Sequence, residues 1–216
     1  MKKPHLLRRY ALLAVGLWIM AFGVAFSIKA GLGTSPISSL PYVVSLISPL
    51  TVGTATIAMH CVLILLQILL LRKNFHPIQF MQLPVAFLFG YLTDFAVWAI
   101  QGIPVGFYGQ RWLLCIVGIL LVGIGVGCEV IADVVTLAGE GLILAVCSVF
   151  HFPFPRIKIS FDCTLVACAC VLSFLFLHRL EGVREGTAAA AICVGIVSKQ
   201  AIRLFLRRIE KKILME

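Results

Sequence analysis

Long runs of apolar residues alternate with short polar stretches along most of this chain. Eight apolar segments can be drawn, at about residues 10–28, 35–50, 53–71, 78–100, 112–132, 137–152, 159–178 and 186–206. Most of them approach the roughly 20 residues that a helix needs to cross a hydrocarbon core, but the second and sixth are shorter. The pattern therefore predicts an all-α polytopic membrane protein, with one membrane domain over residues 1–216.

The two halves of the sequence resemble each other. Residues 9–63 align without a gap with residues 111–165, at an offset of 102, and 13 of the 55 aligned pairs are identical. Chance would give roughly five in a composition this apolar, so a duplication is indicated. We predict a first repeat over about residues 9–102 and a second over about residues 111–208. Such repeats are typical of secondary transporters, whose substrate sites lie near the bilayer midplane.

The short second and sixth segments leave two topologies open. If both are re-entrant half-helices, the chain has six spans and the repeats are inverted; if both cross, it has eight spans and the repeats are parallel. Six spans place 13 Lys and Arg residues inside against four outside, and eight spans give 12 against five. The matched Arg9 and Arg111 favour the parallel arrangement, because inversion puts them on opposite sides. We predict the inverted six-span arrangement, with eight parallel spans as the alternative.

Composition and charge fit a membrane protein rather than a nucleic-acid binder. The chain is 61% hydrophobic and 12% charged, with a formal net charge of +9. Its basic residues cluster near the two ends, from Lys2 to Arg9 and from Arg203 to Lys212. This placement follows the positive-inside rule and predicts a multi-pass protein of the bacterial inner membrane with both termini in the cytoplasm. The predicted partners are anionic lipid headgroups and a small-molecule substrate, without nucleic acid; a homodimer is left open.

Enzyme signatures are absent from the sequence. It contains no HExxH, no GxSxG and no P-loop. Its eight cysteines all lie inside apolar segments and have no metal-type spacing. We therefore predict no enzymatic activity, no metal and no cofactor.

The start of the second segment has the composition of a helix N-terminus. Gly31 and Gly33 permit a tight backbone turn. Thr34 or Ser35 can cap a helix, and Pro36 suits its first position. The free N–H groups and the positive dipole end of such a helix favour an anion or a carboxylate, whereas an ordinary loop between two spans is the alternative. The substrate-binding residues predicted here are Thr34, Ser35 and Ser38.

Acidic residues inside apolar segments are a second chemical signal. Each would cost several kcal/mol facing lipid, so each is expected to face a partner or a polar cavity. Glu129 and Asp133 are four residues apart, which would place both on one helix face as a proton-carrying pair. Water at the end of that span is the alternative explanation. Glu140 lies where the sixth segment begins, so a carboxylate is predicted at the start of the second short helix.

The repeat register pairs residues of opposite character. His60 aligns with Asp162 at the offset of 102, and Asp94 aligns with Lys199 after three inserted residues. Residues related by a pseudo-two-fold axis meet if they lie near that axis, so both pairs are candidate intramembrane pairs. Two roles stay open for them: coupling of protons, through His60 above all, and structural locking of the halves.

Several strings also resemble a known family. The sequences GEGL at 139–142, RIKISFD at 156–162 and GVREGT at 182–187 look like the second half of the YczE/YyaS/YitT-type bacterial integral membrane proteins. The stretch 31–36 resembles the glycine-and-proline motif of their first half. The resemblance implies a multi-spanning membrane protein often suspected of transport, and it supplies no substrate. The motif residues that it adds to the predicted substrate-binding set are Glu140, Lys158, Asp162, Arg184 and Glu185.

These residues also have local interpretations. Lys158 and Asp162 are four apart, and an ion pair would let both tolerate the bilayer edge. Glu185 is favourably placed to stabilise a helix N-terminus. The sequence therefore predicts a secondary transporter or exporter of a small polar or amphipathic metabolite, with proton coupling left open and a midplane site at the repeat interface. A non-transporting accessory or scaffold membrane protein is the alternative.

Overall fold

Eight α-helices make up the part of the chain that the structure describes. The computed structural model describes residues 5–206. Six helices are long and apolar enough to span a membrane and two are shorter, which confirms the predicted fold class. Two 3₁₀ turns, Arg72–Asn74 and Pro77–Met81, precede the fourth helix, and a π-helical turn, Ile202–Leu206, follows the last. The helices are α1 (Leu6–Ala30), α2 (Pro36–Ile47), α3 (Val52–Leu71), α4 (Gln82–Ala99), α5 (Tyr108–Ala132), α6 (Ala138–Phe150), α7 (Phe154–Leu177) and α8 (Glu185–Ala201).

Helix boundaries repeat with the spacing of the sequence. α1, α2 and α3 begin 102 residues before α5, α6 and α7, and α1 and α5 both have 25 residues. α7 begins at Phe154, ahead of the predicted start, because Pro155 suits the first helical turn. Lys158 therefore lies on a helix rather than before one. The terminal basic residues Lys2 and Lys3, and those after residue 206, lie outside the described residues, so the cytoplasmic placement of the termini stays a prediction.

α1 and α5 cross through paired glycines. A Cβ atom on Gly16 would lie 3.1 Å from the carbonyl oxygen of Gly125, and one on Gly23 would lie 2.8 Å from that of Gly118. The contacts run in opposite order along the two helices, so α1 and α5 are antiparallel. The two glycine pairs are equivalent in the repeat, because Gly16 aligns with Gly118 and Gly23 aligns with Gly125. Small residues let the two backbones approach closely where larger side chains would hold them apart.

The matched arginines lie at opposite ends of this antiparallel pair. Arg9 donates a hydrogen bond to the carbonyl oxygen of Ala132, at the end of α5, over 3.1 Å. Arg111 lies beside Gly31, just after the end of α1. Each arginine thus covers the carboxyl end of the other helix, where the helix dipole favours a cation. The expectation that these arginines favour parallel repeats is therefore wrong, since inversion gives both the same role.

The directions of the other helices are those that a re-entrant α2 requires. Asp94, late in α4, bonds to Gly53 early in α3, and Gln82 at the start of α4 bonds to Gln67 near the end of α3, so these helices are antiparallel. Lys29, at the end of α1, bonds to the carbonyl oxygen of residue 101, just after α4, so α1 and α4 are parallel. α1 and α3 therefore run in opposite directions, so the end of α1 and the start of α3, which α2 connects, lie at the same end of the helix bundle.

The second half repeats this arrangement. Gly186, at the start of α8, lies beside Cys115 early in α5, and Val197 lies beside Gly123 further along. α5 and α8 are therefore parallel, as α1 and α4 are. Because α5 is antiparallel to α1, the two halves have opposite directions, as the inverted six-span arrangement requires.

Each short helix packs against the other half of the molecule. α2 packs against α7, and α6 packs against α3. The side chain of Ile37 occupies the place where a Cβ atom on Gly139 would lie. These two residues are equivalent in the repeat, so the N-terminal turns of α2 and α6 meet on the pseudo-two-fold axis. With 12 and 13 residues, the two helices are only about 18–20 Å long.

The two halves differ where their third and fourth helices meet. α3 and α4 pack together, and a Cβ atom on Gly90 would lie 2.8 Å from the carbonyl oxygen of Gly53. In the described range, α7 and α8 do not pack together along their lengths. A Cβ atom on Gly195, the counterpart of Gly90, would meet nothing within 4 Å. We call the closed contact the α3–α4 seam and the open one the α7–α8 seam.

Candidate functional site

A cavity of about 500 Å³ lies between the two halves and receives lining residues from all eight helices. Its walls are mainly apolar, and its lining includes polar residues at the starts of α2 and α6 and on α3, α7 and α8. Seven of the residues predicted from the sequence line it, namely Ser35, Ser38, His60, Glu129, Glu140, Lys158 and Asp162. Two further polar residues line it that were not predicted from the sequence, Thr56 and Ser198.

Two carboxylates lie at the start of α6. Glu129 is 3% exposed and accepts a hydrogen bond from the backbone N–H of Leu137, the residue that caps α6, over 2.7 Å. Glu140 lies in the first turn of the same helix. The positive end of a helix stabilises negative charge. The start of α6 therefore already holds two acidic groups.

The predicted ion pair between Lys158 and Asp162 is present. Lys158 Nζ lies 2.9 Å from Asp162 Oδ1, one helical turn along α7. Both residues line the cavity, and both act electrostatically on Glu140. Among residues 5–206, no basic side chain forms a salt bridge with Glu129 or Glu140. The cavity therefore holds two carboxylates beyond its one internal ion pair.

The start of α2 is different. Its capping residue Ser35 shares a hydrogen bond with the hydroxyl of Ser38 over 3.0 Å, and its first turn has no acidic residue. His60 lines the same cavity at 1% exposure, and its Nδ1 atom has no hydrogen-bond partner in the described chain. The imidazole ring packs edge-on against Phe89. A buried polar nitrogen on a cavity wall is available to a ligand.

Three predicted substrate-binding residues lie outside the cavity lining. Thr34 is buried, and its backbone N–H bonds to the loop before α8. Arg184 donates to the carbonyl oxygen of Gly31 over 3.2 Å, and Glu185 accepts from the hydroxyl of Tyr108 over 3.1 Å. The bonds of Thr34 and Arg184 hold the turn before α2 against the start of α8, whereas the bond of Glu185 joins the start of α8 to the start of α5. Thr34 and Arg184 therefore position α2.

Gly33 shows why that turn is rich in glycine. Its φ angle is 95°, a backbone conformation that residues with a side chain rarely adopt. A Cβ atom at this position would also lie 2.6 Å from the backbone nitrogen of Arg184. Both the conformation and the close approach therefore require glycine.

The structure does not bring Asp94 and Lys199 together. Asp94 instead accepts hydrogen bonds from Thr51 Oγ1 over 2.6 Å and from the backbone N–H of Gly53 over 2.7 Å. Lys199 is exposed on α8. We call the Asp94 contacts the Asp94 clasp, because they fasten α4 to the start of α3. The other predicted pair, His60 with Asp162, shares the cavity without a hydrogen bond between its members in the described part of the chain.

Asp133 does not share a helix face with Glu129. α5 ends at Ala132, and Asp133 turns the chain away with a left-handed φ of 45°. Asp133 lines a second, more open crevice of about 970 Å³ beside the start of α6. Glu129 lines this crevice as well as the central cavity. Glu129 therefore lies between the two spaces.

Comparison with known proteins places the chain in a family. Residues 7–203 match the family described as "Family of unknown function (DUF6198)". The chain belongs to this family. The resemblance of this DUF6198 protein to YczE/YyaS/YitT-type proteins stays a prediction. No curated protein and no solved structure matched the sequence.

Two buried glutamines of the DUF6198 chain were not predicted. Gln67 donates to Gln82 over 3.1 Å and to the carbonyl oxygen of Ala138, at the start of α6, over 3.0 Å. A Cβ atom on Gly141 would lie 2.7 Å from both glutamine side chains, so glycine leaves them room. The glutamines fix the start of α6 to the first half. Their position inside apolar segments is the signal that could have identified them.

Replacing Asp94 with alanine is expected to lower the free energy of unfolding by about 2–3 kcal/mol, because two hydrogen bonds to a charged group are lost. Unfolding in detergent, followed by circular dichroism, measures the change. Glu181→Ala is the matched control, since Glu181 forms a more exposed ion pair with Arg179 and should change stability by no more than about 0.5 kcal/mol. Equal stability of the two variants would show that the Asp94 clasp contributes nothing.

Proposed function

We propose that this protein is a secondary transporter of a small amine-bearing metabolite that binds in the central cavity. The observation that carries the proposal is the pair of unequal helix starts on the pseudo-two-fold axis. The start of α6 holds Glu129 and Glu140, whereas the start of α2 presents the hydroxyls of Ser35 and Ser38. Buried carboxylates at membrane depth need a compensating cation or protons. An ammonium group fits the α6 side.

The other lining groups define the rest of the substrate. The hydroxyls at the start of α2 and the free Nδ1 atom of His60 suit a hydroxyl or carboxylate group. The Lys158–Asp162 pair offers one charge of each sign beside them. The apolar walls suit a carbon skeleton. A zwitterion or an amino alcohol with an apolar part therefore matches the cavity.

Transport, rather than binding alone, is supported by the architecture. Inverted repeats with half-helices that meet near the midplane are a recurring design of secondary transporters. The α3–α4 seam is closed and the α7–α8 seam is open, so the two halves of one chain already have different shapes. Glu129 lines both the cavity and the crevice, which supports a route by which a proton leaves as an amine binds.

Uptake into proteoliposomes tests the proposal. The full-length protein is reconstituted and supplied in turn with radiolabelled ethanolamine, leucine, putrescine and choline, with and without a pH gradient. We expect at least one compound to enter about fivefold or more above protein-free liposomes, with a rate that changes when the gradient is dissipated. Absence of uptake and of binding for every amine would overturn the proposal.

A further inference from the structure

The α7–α8 seam opens the central cavity sideways. Ile159 of α7 and Ala191 and Gly195 of α8 line the cavity and are also exposed at the surface, Ile159 at 64%. Residues that belong to both a cavity wall and the outer surface mark an opening. The equivalent α3–α4 seam is closed by the contact of Gly53 with Gly90.

The opening lies where the protein faces lipid. α7 and α8 have the lengths and composition of membrane spans, and only 17% and 11% of their apolar windows are buried. The corresponding values for α1 and α5 are 50% and 56%. We therefore expect a gap between two poorly covered spans to open into the hydrocarbon region of the bilayer rather than into water.

The chemistry changes along this opening from apolar to acidic. Its outer part is lined by Phe154 and Ile159 on α7 and by Ala191 and Gly195 on α8, all without polar side chains. Its inner end reaches Glu140 and the other polar groups of the cavity. The gradient matches a molecule with a hydrocarbon tail and a cationic head.

We propose that the site accepts amphipathic amines from the bilayer through the α7–α8 seam. The ammonium head lies at Glu140, and the hydrocarbon tail lies between α7 and α8. This inference rests on the proposed function, because it assigns a substrate class and a route of access to the same cavity.

Photolabelling tests the route. The full-length protein in phospholipid nanodiscs is irradiated with a dodecylamine that carries a diazirine on its chain, and the adducts are located by mass spectrometry. We expect adducts on α7 and α8 at the seam. Unlabelled dodecylamine should reduce them about fivefold or more, whereas dodecanol, which has the same tail without the charge, should reduce them less than about twofold.

Two bulky substitutions distinguish binding in the seam from binding at the neighbouring lipid-facing surface. Gly195→Trp fills the seam, whereas Ile196→Trp places the same side chain one residue away at a position that is 63% exposed. We expect the first variant to lose about fivefold or more of the specific labelling and the second to stay within about twofold of the unmodified protein. Ala191→Phe is a second plug of the seam. Melting temperatures of all three variants show whether each is folded.

The outcomes distinguish failure of the lateral route from failure of the proposed function. If ethylamine competes as well as dodecylamine, or if the folded plug variants label like the unmodified protein, the lateral route is overturned and the amine site stands. If Glu140→Gln labels like the unmodified protein and neither amine competes, the proposed function fails together with the route. Labelling that requires the tail, the charge and an open seam supports the inference.

Discussion

Replacing Glu140 with glutamine is expected to reduce amine uptake about tenfold or more and to leave the protein folded. Within residues 5–206 no hydrogen bond to the Glu140 carboxylate is found, so glutamine, which has nearly the same shape, removes the charge without breaking a local hydrogen bond. A hydrogen bond to a charged group contributes about 1.5–3 kcal/mol, which corresponds to roughly 10- to 150-fold in binding. Uptake of the amine identified in proteoliposomes, together with its binding affinity, measures the loss.

Glu181→Gln is the matched control for this variant. Glu181 pairs with Arg179 and does not line the cavity. Its uptake should stay within about twofold of that of the unmodified protein. Unchanged transport by the Glu140 variant would show that the substrate carries no cation at this position.

Replacing Gly23 with leucine is expected to prevent stable packing of α1 against α5. A Cβ atom at this position would lie 2.7 Å from the backbone nitrogen of Val122 and 2.8 Å from the carbonyl oxygen of Gly118. Both are backbone atoms, so the helices must move apart. We expect a loss of about 3 kcal/mol or more, measured as the shift of unfolding in detergent.

A helical glycine without neighbours provides the control. Gly195→Leu adds the same atoms on α8, where a Cβ atom meets nothing within 4 Å. Its unfolding free energy should stay the same or rise by about 0.5–1 kcal/mol, because leucine is the better helix former. If the two leucine variants had the same free energy of unfolding, close approach at the α1–α5 crossing would have no energetic importance.

Segment length and repeat register predicted much of the fold. The spans are long apolar runs, and the start of α2 was predicted from its glycines, Ser35 and Pro36. The predicted start of α7 was late because Arg156 and Lys158 interrupt the apolar run, although both lie on the helix. Charge lowers hydropathy without ending a helix, so a hydropathy boundary is not always a helix boundary.

The candidate site was predictable only in part. Register shows which residues are equivalent, but it does not show how far each lies from the symmetry axis. Ile37 and Gly139 lie on the axis and meet, whereas Asp94 and Lys199 do not come together. The position of Asp133 was missed for a different reason. Four-residue spacing assumes an unbroken helix, and α5 ends one residue earlier.

The Asp94 clasp cannot be rebuilt in the second half. Lys199 aligns with Asp94, and Pro155 aligns with Gly53. A lysine ammonium donates hydrogen bonds but accepts none, and proline has no backbone N–H to donate. If the two halves exchange shapes during a transport cycle, the α3–α4 seam loses this clasp and the α7–α8 seam gains no equivalent. Under the proposed function, the empty protein would then prefer one orientation, and substrate binding or the coupled proton would supply the free energy that reverses it.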